Sequence, residues 1–185
     1  MPRTPPRKFL FLDATIIVAA IALGTFAVWW TVPGLASIRK QLQVSTAPGE
    51  QAFYVIQSTV LTICPYLSSA SLALLILRLR RPRPRLRRCL RQPGMVASAA
   101  ASLALAIEAV RIVPLFALGS RSVWLSKLFI GPDQQICFAI LGAWAVLKLG
   151  GVWRPEPSAI DWAGRVVGVA WIFVATLSSF RYYLI

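Results

Sequence analysis

The chain predicts an all-α polytopic membrane protein: a bundle of five transmembrane helices with its N-terminus inside and its C-terminus outside. Three observations predict it. Five apolar runs of about twenty residues divide a chain of 185 residues that is 57% hydrophobic, and a soluble domain of this length does not carry so many. Eight arginines crowd the sequence LRLRRPRPRLRRCLRQ (residues 77–92) between the second and third runs. No loop is long enough to bury a core of its own, so residues 9–185 read as one bundle.

Residues 1–8, MPRTPPRK, read as a short basic, proline-rich disordered tail. The first span is placed at 9–32, with Asp13 near its start. Cleavage as a signal peptide, with GLA before Ser37 as the processing site, is the rival reading, but the apolar run exceeds the roughly 7–15 residues of a signal core. Residues 33–51 read as a polar loop in which Leu35, Ile38 and Leu42 could share one face of a short surface helix. The second span, 52–77, is uncharged and interrupted by Pro65. The third, 94–118, is made of small residues in its first half and carries Glu108 and Arg111 in its second. The fourth, 131–153, has Asp133 at one end and Lys148 toward the other. The fifth, 160–182, opens with Asp161 and Arg165.

Orientation follows from the basic residues, which are retained on the inner side of a membrane. Arg3, Arg7, Lys8, Arg154 and the eight arginines Arg78, Arg80, Arg81, Arg83, Arg85, Arg87, Arg88 and Arg91 would lie inside. Arg39, Lys40, Arg121, Lys127 and Arg181 would lie outside. The formal charge of +14 raises a nucleic-acid reading. It is set aside because the arginines follow directly on an apolar span. They are assigned instead to anionic lipid headgroups, where each basic residue contributes about 1 kcal/mol. The expected location is the cell membrane, multi-pass, which in a bacterium is the cytoplasmic membrane.

Charged residues inside the spans are the candidate site. Glu108 and Arg111 are three residues apart and share a helix face. A central charge costs about 2.5–3.5 kcal/mol on insertion scales. The pair reads either as a proton or ion relay or as a local ion pair that neutralises itself. At a rise of 1.5 Å per residue, Arg111 lies roughly 7 Å outward of midplane and Asp133 about 13 Å, so Arg111 is expected to bridge Glu108 and Asp133. A second layer nearer the inner face would hold Asp13, Lys148, Asp161 and Arg165. There Asp161 and Arg165 would pair at i and i+4, and Asp13 would meet Lys148 or Arg165. In the alternative reading, Lys148 and Arg165 snorkel to the headgroups.

The second span also carries a polar stripe of Ser58, Thr62, Pro65 and Ser69, beside Gln57 and Tyr66. It would line a watery path or a small-molecule site, or form hydrogen bonds between helices. Gly164 and Gly168, Ala97 and Ala101, Ser98 and Ser102, and Ala139 and Ala143 repeat the small-xxx-small spacing of close helix contacts. Trp144 and Trp171 fall near midplane, where they would fill the core or wall a flat apolar ligand.

No catalytic residue, metal site or cofactor is assigned. The chain has no histidine, its three cysteines (Cys64, Cys89 and Cys137) form no CxxC pair, and HExxH, GxSxG and P-loop patterns are absent. With Cys64 and Cys137 within spans and Cys89 facing the cytoplasm, no disulfide is expected. The sequence therefore favours a non-enzymatic accessory or interaction subunit, with other membrane subunits or a second copy as partners. A small transporter or channel component using Glu108 and Arg111 is the alternative.

Overall fold

The computed structural model describes residues 11–45, 47–79, 89–116, 132–155 and 158–180. Five helices run through them: α1 (Phe11–Val44), α2 (Pro48–Leu79), α3 (Pro93–Phe116), α4 (Pro132–Leu149) and α5 (Ala159–Phe180). Three of the five start on proline: Pro48, Pro93 and Pro132. The first helical position suits proline because its missing N–H would have no partner there and its fixed φ is already helical. α5 starts differently. Ser158 Oγ accepts the N–H of Asp161 at 3.2 Å, one half of a capping box.

Four of the five helices are long and apolar enough to cross a membrane: α1, α2, α3 and α5. α4 is not among them. It has 18 residues, and Asp133, Gln134, Gln135 and Lys148 lower its hydropathy. It ends four residues before the expected Trp153 because Gly150 and Gly151 close it. Gly151 takes φ +64°, Val152 N–H reaches the Leu147 carbonyl at 3.1 Å, and Gly151 N–H reaches Lys148 at 3.2 Å. This is a Schellman stop, which favours glycine at its left-handed position.

The largest departure from the sequence reading is at residues 33–51. The helix does not stop at Pro33 but continues to Val44, and α2 begins directly at Pro48. Leu35, Ile38 and Leu42 do share a face, but it is not a membrane-surface helix. Ile38 is buried and Leu35 is packed against the core together with Tyr54 of α2. Burial of this apolar face against α2 holds the helix beyond the proline, where local propensity alone would have ended it.

Neighbouring helices run up and down. α2, α3, α4 and α5 form the bundle, with α3 and α5 in contact across its centre. α3 and α5 run parallel, because Gly94 lies against Gly164 and Ala97 against Gly168. α1 is packed along α2 and stands outside the bundle. At about 1.5 Å per residue, α1 and α2 are roughly 50 Å long, while α3, α4 and α5 are about 36, 27 and 33 Å. α2 and α3 are level at the end where Arg78 meets Gln92. The excess length of the α1–α2 hairpin therefore extends past the described ends of α3 and α5 at the opposite end.

Candidate functional site

Two clusters of buried polar groups sit at opposite ends of the bundle. The first lies at the end carrying the arginine-rich segment. Asp161, 2% exposed in the first turn of α5, accepts the Gly94 N–H through Oδ1 at 2.9 Å. Gly94 stands at the start of α3, where backbone N–H groups lack helical partners. One carboxylate therefore caps a second helix from a distance. Arg165 Nε lies 3.5 Å from Asp161 Oδ2, an ion pair at i and i+4 as the spacing predicted, although outside hydrogen-bond geometry. Arg78 of α2 donates to Gln92 Oε1, which precedes α3. Arg154 N–H bonds the Arg91 carbonyl at 3.0 Å and ties the α4–α5 connection to the same place.

The approach of α3 and α5 here depends on glycine. A methyl group on Gly94 would collide with the Asp161 carbonyl, and one on Gly164 with the Gly94 backbone. Gly168 lies under the Trp144 ring and beside Ala97. The GxxxG spacing thus serves a contact within this chain.

The expected partners of Asp13 are not its partners. Lys148 is exposed at the end of α4, Arg165 belongs to Asp161, and α1 packs on α2 rather than on α4 or α5. Asp13 itself is buried and engaged. The physical reason is lateral rather than axial: the depths are similar, but α1 lies outside the bundle.

The second cluster lies toward the opposite end. Glu108 is 6% exposed, Asp133 1%, and Ser178 is fully buried. Glu108 continues the stripe of Ala97, Ala101 and Ala104 on α3 that faces the core. Ser178 continues the Gly164, Gly168, Trp171 and Ala175 stripe of α5. The register that sets Gly168 beside Ala97 carries Ser178 to the level of Glu108. Gln134 of α4 reaches Ser179 at 3.4 Å, which brings the start of α4 to the same end. Neither carboxylate oxygen of Asp133, nor Ser178 Oγ, has a hydrogen-bond partner among the described residues. The expected bridge from Arg111 to Glu108 and Asp133 falls outside the described residues. The Arg111 side chain lies outside the described residues, and Glu108 is engaged.

The hydroxyls of the α2 polar stripe are bonded within their own helix, while Pro65 and Ser69 border a groove beside α1 and Tyr66 Oη lies 3.4 Å from Thr25 Oγ1 of α1. Ser58, Thr59, Thr62, Ser68 and Ser69 donate to carbonyls three or four residues back on their own helix. Ser71 adds a contact between helices by accepting the Trp171 indole N–H at 3.2 Å. Of the two midplane tryptophans, Trp171 is 1% exposed in the core, and Trp144, half-buried, donates to the Pro93 carbonyl at 2.9 Å and meets Trp153 edge-on at 6.0 Å. Cys64, Cys89 and Cys137 are free and buried. Cys89 is 2% exposed, at the end of the bundle where Arg78 meets Gln92.

Of the eight arginines, Arg78 is half-buried and Arg91 exposed; Arg80, Arg81, Arg83, Arg85, Arg87 and Arg88 lie outside the described residues, as does the basic tail. Between α1 and α3, floored by α2, an apolar groove of about 520 Å³ opens at mid-height, lined by Leu23, Ala27, Pro65, Leu72, Ser102 and Ala106 among others.

Sequence reasoning missed Gln92, Gly94 and Ser71. Gly94 and Ser158 were readable as a helix start after proline and as the S-x-x-D of a capping box. Ser71 had no signal beyond its place in an apolar span. No family model, curated protein or solved structure matches the chain.

Proposed function

We propose that the protein is a non-enzymatic accessory or interaction subunit of a membrane assembly, threaded five times with its N-terminus and arginine-rich segment inside and its C-terminus outside. In this reading α4, the fourth span, crosses beside α3 and α5, against which it packs. The observation that carries the reading is the α1–α2 hairpin. Its α1 packs chiefly on α2, and the hairpin is longer than the described parts of α3 and α5 by about 15 Å. The projecting part is polar on its outside, with Arg39, Lys40, Gln43 and Glu50 exposed. Below it, the outward face of α1 presents Val18, Ile21, Phe26 and Trp29. An arm that is apolar within the bilayer and polar beyond it is suited to holding another membrane protein.

Photo-crosslinking residues placed at Arg39 and Gln43 test this in whole membranes. Discrete adducts that persist through purification in mild detergent are expected. A monomer that crosslinks to nothing overturns the reading. A reporter inserted after Arg85 tests the threading and should register only on the cytoplasmic side.

The second reading, a small transporter or channel component, is favoured by one observation, the level of Glu108, Asp133 and Ser178 within the bundle. It requires that Glu108→Gln abolish a flux into proteoliposomes. No flux above that of empty vesicles under any gradient counts against it.

A further inference from the structure

We infer that Asp133 of α4 and Ser178 of α5 hold a monovalent metal cation, sodium, between the two helices at the end of the bundle away from Arg78 and Gln92. The ion is a bound one, and its binding depends on neither reading of the function.

Two contacts fix the register of α4 against α5, which run antiparallel. Gln134 Nε2 lies 3.4 Å from Ser179 Oγ. Ten residues further along α4, the Trp144 ring covers Gly168, which is eleven residues back along α5. That register sets Asp133 and Ser178 within about two residues of one level, roughly 3 Å along the helix axes. Both face the core. Asp133 stands three and seven residues before Ile136 and Ile140, and Ser178 stands four and seven residues after Val174 and Trp171. Those spacings keep to one face of a helix.

Both side chains are sealed from solvent, Asp133 at 1% and Ser178 at 0% exposed. Among the described residues, neither carboxylate oxygen of Asp133 nor Ser178 Oγ has a hydrogen-bond partner. A buried hydroxyl beside a carboxylate ordinarily donates to it; these two are not bonded to each other. A cation satisfies all three oxygens at once, because carboxylate and hydroxyl oxygens both offer lone pairs.

Charge and ligand type choose the ion. Glu108 has an interaction of its own, so the charge to be met is the single one of Asp133, at a helix start whose dipole favours negative charge. One positive charge cancels it. A divalent ion would leave an excess in the interior, and a water would leave the carboxylate uncancelled. No three His, Cys, Asp or Glu side chains gather among the described residues to hold a transition metal. Of the alkali cations, a strong-field ligand such as a carboxylate favours the smaller, sodium.

Thermal unfolding of the purified full chain in mild detergent, in sodium, potassium or choline chloride of equal ionic strength, is the test. At about 0.1 M sodium, Tm should exceed that in choline by about 4 °C, the linkage expected when an ion stands some tens of times above its dissociation constant. Potassium should give a smaller rise. Asp133→Asn should unfold alike in all three salts, and in choline it should match or exceed the parent. Ser178→Ala should need about tenfold more sodium for the same rise, the worth of one contact to a charge. Asp161→Asn, at the other buried aspartate, should lower Tm in every salt and keep the sodium response. If Asp133→Asn does not fold, equilibrium dialysis of the parent with radiolabelled sodium decides. One ion per chain, displaced by unlabelled sodium and poorly by potassium, is expected. No rise over choline, or no sodium retained, overturns the inference, because a basic side chain or a water would then meet the carboxylate. An equal rise in potassium overturns it too, as does an Asp133→Asn variant that keeps the full response.

Discussion

Two aspartates occupy nearly the same local position and have opposite surroundings. Asp161 lies in the first turn of α5 and Asp133 in the first turn of α4, both almost fully buried. Each gains from the dipole of its own helix, an effect of about 0.3–1 kcal/mol at the surface and up to about 2 when partly buried. Asp161 also has a backbone N–H at 2.9 Å from α3 and an arginine at 3.5 Å from its own helix. Asp133 has neither among the described residues. A buried carboxylate is stable only when paired or neutral. The comparison shows that an acid at a helix start says little until its tertiary neighbours are known. At one end the carboxylate joins helices; at the other it is a burden unless something else neutralises it.

The sharpest way to break the joined end is at the glycine contact on which it rests. Gly164→Leu drives a side chain into the Gly94 backbone, which cannot yield as a side chain would. Overpacking costs about 1–3 kcal/mol where side chains can shift, and more where backbone is struck. Loss of the folded monomer in detergent, or its steepest destabilisation in thermal unfolding, is expected. A variant of ordinary stability would show that α3 and α5 are not in contact there.

Asp161→Ala comes next. It leaves the Gly94 N–H without an acceptor and Arg165 without its ion pair, a cost of about 1–3 kcal/mol for a buried group left unsatisfied. Asp161→Asn keeps a carbonyl acceptor for Gly94 and should recover part of the loss. If both variants unfold like the parent, the carboxylate does not cap α3.

Trp171→Phe tests the middle of the bundle, between the two ends. It deletes the hydrogen bond to Ser71 and leaves most of the ring in place. About 1 kcal/mol should be lost, and Ser71→Ala should cost little once Trp171 is already Phe. Independent, additive losses would mean that the two groups do not meet.

These contacts also show what the sequence could reveal. Apolar runs and the arginine segment placed α2, α3 and α5 to within a few residues, because burial in lipid acts on every residue of a span. The Asp161–Arg165 pair was legible because i and i+4 spacing is local. Asp13 was not, since equal depth fixes no lateral neighbour and α1 lies beside α2 outside the bundle. Pro33 misled because a proline marks a helix end only where tertiary burial does not outweigh it, and Ile38 supplies that burial. The end of α4 was misjudged for a different reason: Gly150 and Gly151 sit in an apolar stretch, and their stop signal was read as part of the span.

The smallest expected effect is the most informative about the second end. Asp133→Asn removes a charge and retains the shape of the side chain. If the carboxylate of Asp133 is as isolated in the whole protein as it is among the described residues, the amide relieves a burial penalty, and stability should hold or rise. A gain of about 1 kcal/mol corresponds to roughly 2–4 °C in Tm for a chain of this size. Asp161→Asn, measured in the same detergent, should move Tm the other way. The opposite signs are the test, since expression level or detergent choice shifts both variants together. Equal losses would mean that Asp133 is held by a cation in the folded protein. Glu108→Gln would then distinguish a structural ion pair, which costs stability alone, from a conducting site, which costs flux with stability intact.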